Sequence, residues 1–262
     1  MTSLADRTIA SLRIVHDEAA ALVPTLSDDQ LLSPSGASDW TVAQVLSHVG
    51  SSAEIALAGY QAALEQSAAP EQDFNQAVWD RWNALSPAEQ AAGFLKHDNA
   101  VVGMLEALTA RERESLQIKL GFLPAPLPLT SVAGMRLNET ALHGWDVRVA
   151  IDPAATLDAG SAEVIIEHFT GGLGFLLGFI GKTDKLSEPA LVKLADSDVA
   201  IAIEDQVSLS TSSTGATANF SGDLESVIRL MGGRLTARYT PPGVEVTGNV
   251  TLDDLRRVFP GY

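Results

Sequence analysis

The chain has 262 residues, 46% of them hydrophobic, enough for one large domain or two ordinary ones with a substantial core. Against 17 basic residues stand 33 acidic ones, and the net charge of −16 argues against nucleic acid or an anionic membrane surface as partner. Cysteine is absent, so there is neither a disulfide framework nor a protein thiol nucleophile, and sulfur chemistry would need an external thiol. The opening "MTSLADRTIA" lacks a basic stretch followed by an apolar one. The apolar run 169–181 is too short and glycine-rich to span a membrane, so the expectation is a cytoplasmic protein that binds small molecules.

Apolar residues recurring at three- and four-residue spacing predict helices through the first 150 residues. The first covers 4–22 and ends before Pro24. Asp39 or Thr41 can cap a second over 42–64, which carries Val42, Val45, Leu46 and Val49 on one face. A shorter segment covers 74–82. Ser86, Pro87 and Glu89 then form a capping-box start for a helix reaching about residue 108. The three prolines of "LGFLPAPLPLT" predict an ordered loop rather than an element. The last helix of this half covers 129–150 and stops at Asp152-Pro153. Four long helices suggest a bundle.

After Pro153 the pattern changes. A helix near 162–179 leads to a strand in which Val199, Ile201 and Ile203 alternate, followed by strand-like pieces at 216–220 and 244–247 and helices at about 223–231 and 251–258. The expectation is an α+β chain with a helical bundle at 1–152 and a small α+β domain at 153–262.

The chemistry concentrates in "RLNETALHGWDV", residues 136–147. Glu139 and His143 stand one turn apart on an apolar helix, with Cβ atoms roughly 5–6 Å apart, so both side chains can converge on one point. Metal sites in bundles draw ligands from facing helices, and His48, on the core face with Val45 and Leu46, is the matching third donor. Two histidines and a carboxylate make the ligand count of a catalytic zinc with an open position. Each residue also has an ordinary explanation: His48 as a core histidine bonded to a carbonyl, and Glu139 with His143 as a charge-assisted pair on a helix face. Asp146 reads either as an acceptor fixing a ligand's tautomer or as a solvated or capping carboxylate. Arg136 reads as a salt-bridge partner for Glu139 or as an anion-binding group. His16, His97 and His168 read as structural.

The pattern W-T-V-x-x-V-L-x-H-V at 40–49, paired with R-L-x-E-x-x-x-H-x-W-D at 136–146, resembles the mycothiol-dependent maleylpyruvate isomerase family of the DinB-like superfamily. "GRLTARYTPPGVEVTG" at 233–248 is similar to that family's sterol-carrier-like C-terminal domain. The resemblance implies that His48, Glu139 and His143 are ligands of a divalent metal, zinc foremost, with nickel and iron as further possibilities, and that mycothiol is the cosubstrate. A thiol with a pKa near 8.5 loses its proton on coordination to such a cation. The thiolate would then add to an activated cis double bond, permit rotation and leave from the trans product, or else remain attached as in a transferase. Maleylpyruvate carries two carboxylates, so cationic groups are expected beside the metal. Arg234 and Arg238, reaching across the domain interface, and Arg81 are the candidates, with plain surface charge as the competing account. Two readings from other classes are a non-haem iron oxygenase site and a noncatalytic binder of an apolar ligand.

Overall fold

The computed structural model describes residues 2–37, 39–194 and 197–261, and the chain divides into two compact units, Met1–Ala155 and Thr156–Tyr262. In the first unit the helices are α1 (Leu4–Leu22), α2 (Asp28–Leu32), α3 (Val42–Glu65), α4 (Gln72–Asn83), α5 (Pro87–Ala107), α6 (Ala110–Ser115) and α7 (Leu129–Val149). Local chemistry starts most of them. Ser3, Ser27, Thr41, Ser86 and Thr109 each form a capping box, accepting the third helical N–H while that residue's own side chain accepts the cap N–H. Asp39, the other candidate cap for α3, instead has a left-handed backbone with φ of 68°, which an aspartate tolerates better than most residues.

The four long helices α1, α3, α5 and α7 pack as a bundle, α1 and α3 each touching both α5 and α7. Apolar spacing on α3 turns Val42, Val45, Leu46 and Val49 into one core cluster with Phe94 of α5 and Val147 of α7. Helix α7 is buried around most of its circumference, from Leu129 and Leu137 to Trp145 and Val149, and includes the polar Arg136, Thr140, His143 and Asp146. Such groups are stable inside only with hydrogen-bond partners, and these partners build the site described below.

One expectation for this unit needs correction. The proline-rich stretch is not wholly loop: β1 (Gln117–Ile118) pairs antiparallel with β2 (Leu127–Pro128), and the N–H of Leu129 continues the contact to the carbonyl of Leu116. Pro128 fits because a two-stranded ladder leaves one backbone side unpaired, where a missing N–H costs nothing.

The second unit contains α8 (Ala159–Thr170), α9 (Leu177–Ile180), β3 (Ala190–Leu194), β4 (Ala200–Ile203), β5 (Val207–Ser210), β6 (Ala218–Ser221), α10 (Leu224–Met231), β7 (Glu245–Gly248) and α11 (Leu252–Val258). Its five strands form one mixed sheet in the order β5-β4-β3-β6-β7, in which only β3 and β6 run parallel. Helix α8 packs on α10 and β5. The single helix expected over 162–179 is broken: α8 ends at Gly171, and the following segment turns by 83°. Strands β3 and β5 add to those expected, because each is short, with only Ala190, Val192 and Leu194 or Val207 and Leu209 buried, too few apolar positions for the alternation to stand out. The chain is therefore α+β. Among the described residues, no single helix is long and apolar enough to cross a membrane.

Candidate metal centre

The capping box at Thr41 fixes the phase of α3, and His48 follows just under two turns later on the face turned toward α7. Glu139 and His143, four residues apart, meet it from α7. The Nε2 atom of His48 lies 2.6 Å from Oε1 of Glu139, and Nε2 of His143 lies 3.4 Å from the same oxygen. One donor atom from each of the three lies within 4.8 Å of the other two, the convergence that a single ion requires. The side chains of His48 and Glu139 are 37% and 30% exposed, so the cluster opens to solvent on one side, while His143 is buried.

Behind His143 stands Asp146. Its Oδ2 lies 2.8 Å from Nδ1 of His143, and the residue is fully buried. A proton on Nδ1 donated to this carboxylate leaves Nε2 as the lone-pair nitrogen facing Glu139 and His48, the tautomer a metal needs. Asp146 is thus the buried acceptor rather than a solvated carboxylate.

A loop closes over the two imidazoles. Pro34 and Thr41 form a β-bridge at its base, and the Gly36 N–H donates to the Asp146 carbonyl at 2.8 Å. A Cβ at Gly36 would fall 2.9 Å from the Asp146 backbone and 2.7 Å from Val149, so only glycine permits this approach. The loop delivers Trp40, whose ring centre is 5.0 Å from that of His48 and 6.0 Å from that of His143. The sequence carries Trp40 in the W-T-V motif with no role assigned to it; its signal is position, one residue before a helix cap and eight before the candidate ligand His48.

Electrostatics match a cation-binding role. Burial opposes ionisation of Glu139, but hydrogen bonds and positive charge from His143 and His48 outweigh it and hold the carboxyl well below its ordinary range. Burial likewise disfavours a charged His143, yet the bonds to Asp146 and Glu139 and their charges raise its pKa to about 9. With protons alone in the cluster, an imidazolium supplies the positive charge that two carboxylates demand. A divalent cation would supply it instead, and the donor set of two imidazoles and one carboxylate fits a divalent transition-metal ion.

The remaining candidates lie elsewhere. Arg136 does not pair with Glu139, and its guanidinium is buried among protein acceptors, 2.7 Å from Asp98 and bonded to Ser52 and the Val49 carbonyl. His16 holds the other oxygen of Asp98 at 2.8 Å. Arg81, on α4, is bonded to Glu54 at 2.5 Å, and Glu54 also accepts from the Trp82 indole at 2.9 Å. His97 faces the same carboxylate at 3.8 Å and the Trp82 ring at 5.5 Å, and burial lowers its pKa. In the second unit, Arg234 is buried and donates to the Gly232 carbonyl at 2.6 Å, so the competing account of plain surface charge does not describe it. Arg238 is exposed, its guanidinium 5.1 Å from the Tyr239 ring centre.

Comparison with known proteins places this geometry. Two uncharacterized proteins from two strains of Mycobacterium tuberculosis are 30% identical to the chain over 151 residues, 55% of this chain and 56% of theirs, so the match spans little more than half the length of these relatives. The crystal structure of the mycothiol-dependent maleylpyruvate isomerase superposes with a TM-score of 0.65 over 95% of this chain and 98% of that one, at 16% identity. That of its histidine-to-alanine mutant does so equally well at 15% identity. At such identities the likeness is one of fold. The family model for the mycothiol maleylpyruvate isomerase N-terminal domain matches residues 12–148, which hold all three converging donors, and the chain belongs to that family.

Proposed function

We propose that the protein is a metal-dependent enzyme that uses mycothiol as its thiol cosubstrate against an electrophilic small molecule. The reaction is either cis-trans isomerisation of a maleylpyruvate-like compound or transfer of the sulfur to the electrophile. The observation that carries this reading is the convergence of His48, Glu139 and His143 within 4.8 Å, in a chain of this family that has no cysteine of its own.

A divalent cation held by those three residues, zinc foremost, would supply the Lewis acidity that lowers a thiol's pKa from about 8.5 and favours the thiolate at neutral pH. The chain's own groups do the rest. Asp146 holds His143 in the tautomer that presents Nε2, and Glu139 contributes the negative charge that retains a dication. Trp40 lies against both imidazoles and limits the directions in which their rings can turn. Three protein donors leave room for an exogenous sulfur. Arg81, Arg234 and Arg238 are proposed to meet the carboxylates of a dicarboxylate substrate. Of these, Arg238 is exposed over Tyr239, while Arg81 and Arg234 have hydrogen bonds to give up first.

The test is elemental analysis of the purified protein, followed by an assay of mycothiol-dependent turnover over a panel of electrophiles that includes maleylpyruvate. The expected result is about one divalent metal per chain, lost in a His48→Ala, His143→Ala double variant. Stoichiometric metal in that variant, or turnover unchanged without thiol, would overturn the reading.

A further inference from the structure

Beneath the site the bundle interior holds an ionisable chain with no part in the chemistry just described. His16 of α1, Asp98 of α5 and Arg136 of α7 are all buried, with 6%, 3% and 6% of their surfaces exposed. Asp98 is saturated from both sides, Oδ2 by Nδ1 of His16 at 2.8 Å and Oδ1 by Nη2 of Arg136 at 2.7 Å. The same guanidinium reaches α3. Both of its terminal nitrogens lie 3.2 Å from the Val49 carbonyl, and Nη1 donates to Ser52 Oγ at 2.8 Å. One planar group therefore ties α7 to α3 and α5, and through Asp98 to α1.

Its points of attachment adjoin the metal centre. Val49 follows His48 directly, and Arg136 lies three residues before Glu139, on the same side of α7. Buried ion pairs seldom add stability over well-packed apolar residues, but they are directional, and their best-attested use is to fix register between helices. A slip of α3 against α7 by a fraction of an ångström would separate His48 from Glu139. Close apolar packing limits such a slip, and directional bonds from one planar group to two helices narrow it further.

We propose that His16, Asp98 and Arg136 are positioning residues, a brace whose guanidinium sets the register of α3 on α7 and thereby holds His48 opposite Glu139. The inference rests on the metal reading of the site for its function, but its geometry can be tested separately. Arg136→Lys keeps the charge beside Asp98 yet lacks the planar fork that serves Asp98, Val49 and Ser52 together. Its zinc affinity, measured by competition with a chromophoric chelator, should fall by about tenfold or more, and its cobalt-loaded visible spectrum should change. A His16→Leu, Asp98→Leu, Arg136→Met variant removes all the charge at once, avoids an unpaired buried ion and should stay folded by circular dichroism while showing the same metal defect. A crystal structure of metal-free Arg136→Lys should show His48 Nε2 drawn away from its 2.6 Å contact with Glu139. Zinc affinity within twofold of wild type in the lysine variant, or an unchanged His48–Glu139 contact in its crystal structure, overturns the brace. A wild-type protein that took up no zinc would refute the metal reading instead, and the metal-free crystal structure would still decide the brace.

Discussion

Asp146 and His143 lie on the same face of α7, one turn apart, and the 2.8 Å contact between Oδ2 and Nδ1 removes both polar groups from solvent. The carboxylate has therefore been taken out of water to serve one imidazole. Asp146→Leu should leave the bundle folded but weaken zinc binding by about 10- to 100-fold, since the ligand loses the partner that fixes its ring and tautomer. Isothermal titration of wild type and variant measures this, and equal affinities would reduce Asp146 to a packing residue.

The pKa shifts give the metal-free protein a definite pH profile. His143 is raised from 6.5 to about 9, so its contribution to stability is complete below pH 6.5 and is lost as pH climbs through 9. Glu139 is lowered from its ordinary 4.5, so its contribution is present above that value and is lost as pH falls toward the depressed one. The windows overlap between pH 4.5 and 6.5, where both contributions are in place. Thermal midpoints of metal-free protein should decline from pH 6.5 to 9, and His143→Gln should flatten that limb. Zinc affinity should rise over the same interval by about tenfold per pH unit, because the metal must displace the imidazole proton. A pH-independent affinity between 7 and 9 would contradict the assignment.

Trp40 offers an optical probe. With its ring centre 5.0 and 6.0 Å from those of the two histidines, it should be quenched most strongly when cobalt or nickel enters, ahead of Trp82, whose ring lies against Gly50, and of Trp145. In Trp40→Phe the titration signal should largely vanish while chelator competition still reports binding. A quench of undiminished size would place the metal nearer another tryptophan.

Tyr60 is 1% exposed, and its hydroxyl has no hydrogen-bond partner in the structure. Burial pushes its pKa up to about 12, so the phenol stays neutral. Tyr60→Phe removes a desolvated hydroxyl without opening a cavity and should leave stability unchanged or raise it by ~1–2 kcal/mol in urea unfolding. A loss of more than ~1 kcal/mol would reveal a buried water bonded to that oxygen.

The parts of this molecule legible in its sequence are those governed by short-range chemistry. The cap candidate at Thr41 and the capping box at Ser86 mark the starts of α3 and α5, and helical spacing alone brings Glu139 within reach of His143. Assigning His48 to the same point takes only the apolar face of α3. Long-range pairing was less visible. The charge pattern around Arg136 suggests Glu139, three residues on, as its partner, whereas the structure gives it Asp98, 38 residues away. Spacing on one helix cannot reveal a partner on another. The loop over the site was hidden for the same reason, since Gly36 docks on Asp146 from a distant part of the chain. In the second unit, β3 and β5 were obscured because each is short and buries only two or three apolar side chains, too few for alternation to stand out from the surrounding sequence.

The deep burial of α7 also bears on how fast an ion can come and go. Glu139 and His143 ride on a helix enclosed along most of its length, and such an element opens only when the bundle does. His48 and Glu139 both reach solvent, with side chains 37% and 30% exposed, and the His48 ring can change rotamer within nanoseconds. Exchange of an ion bound there would then be a side-chain event at His48 beside the Trp40 loop, with no backbone unfolding required. The two donors on α7 would hold the ion while the third lets go, so small chelators should strip it at a rate that depends on the loop and is insensitive to the stability of the fold.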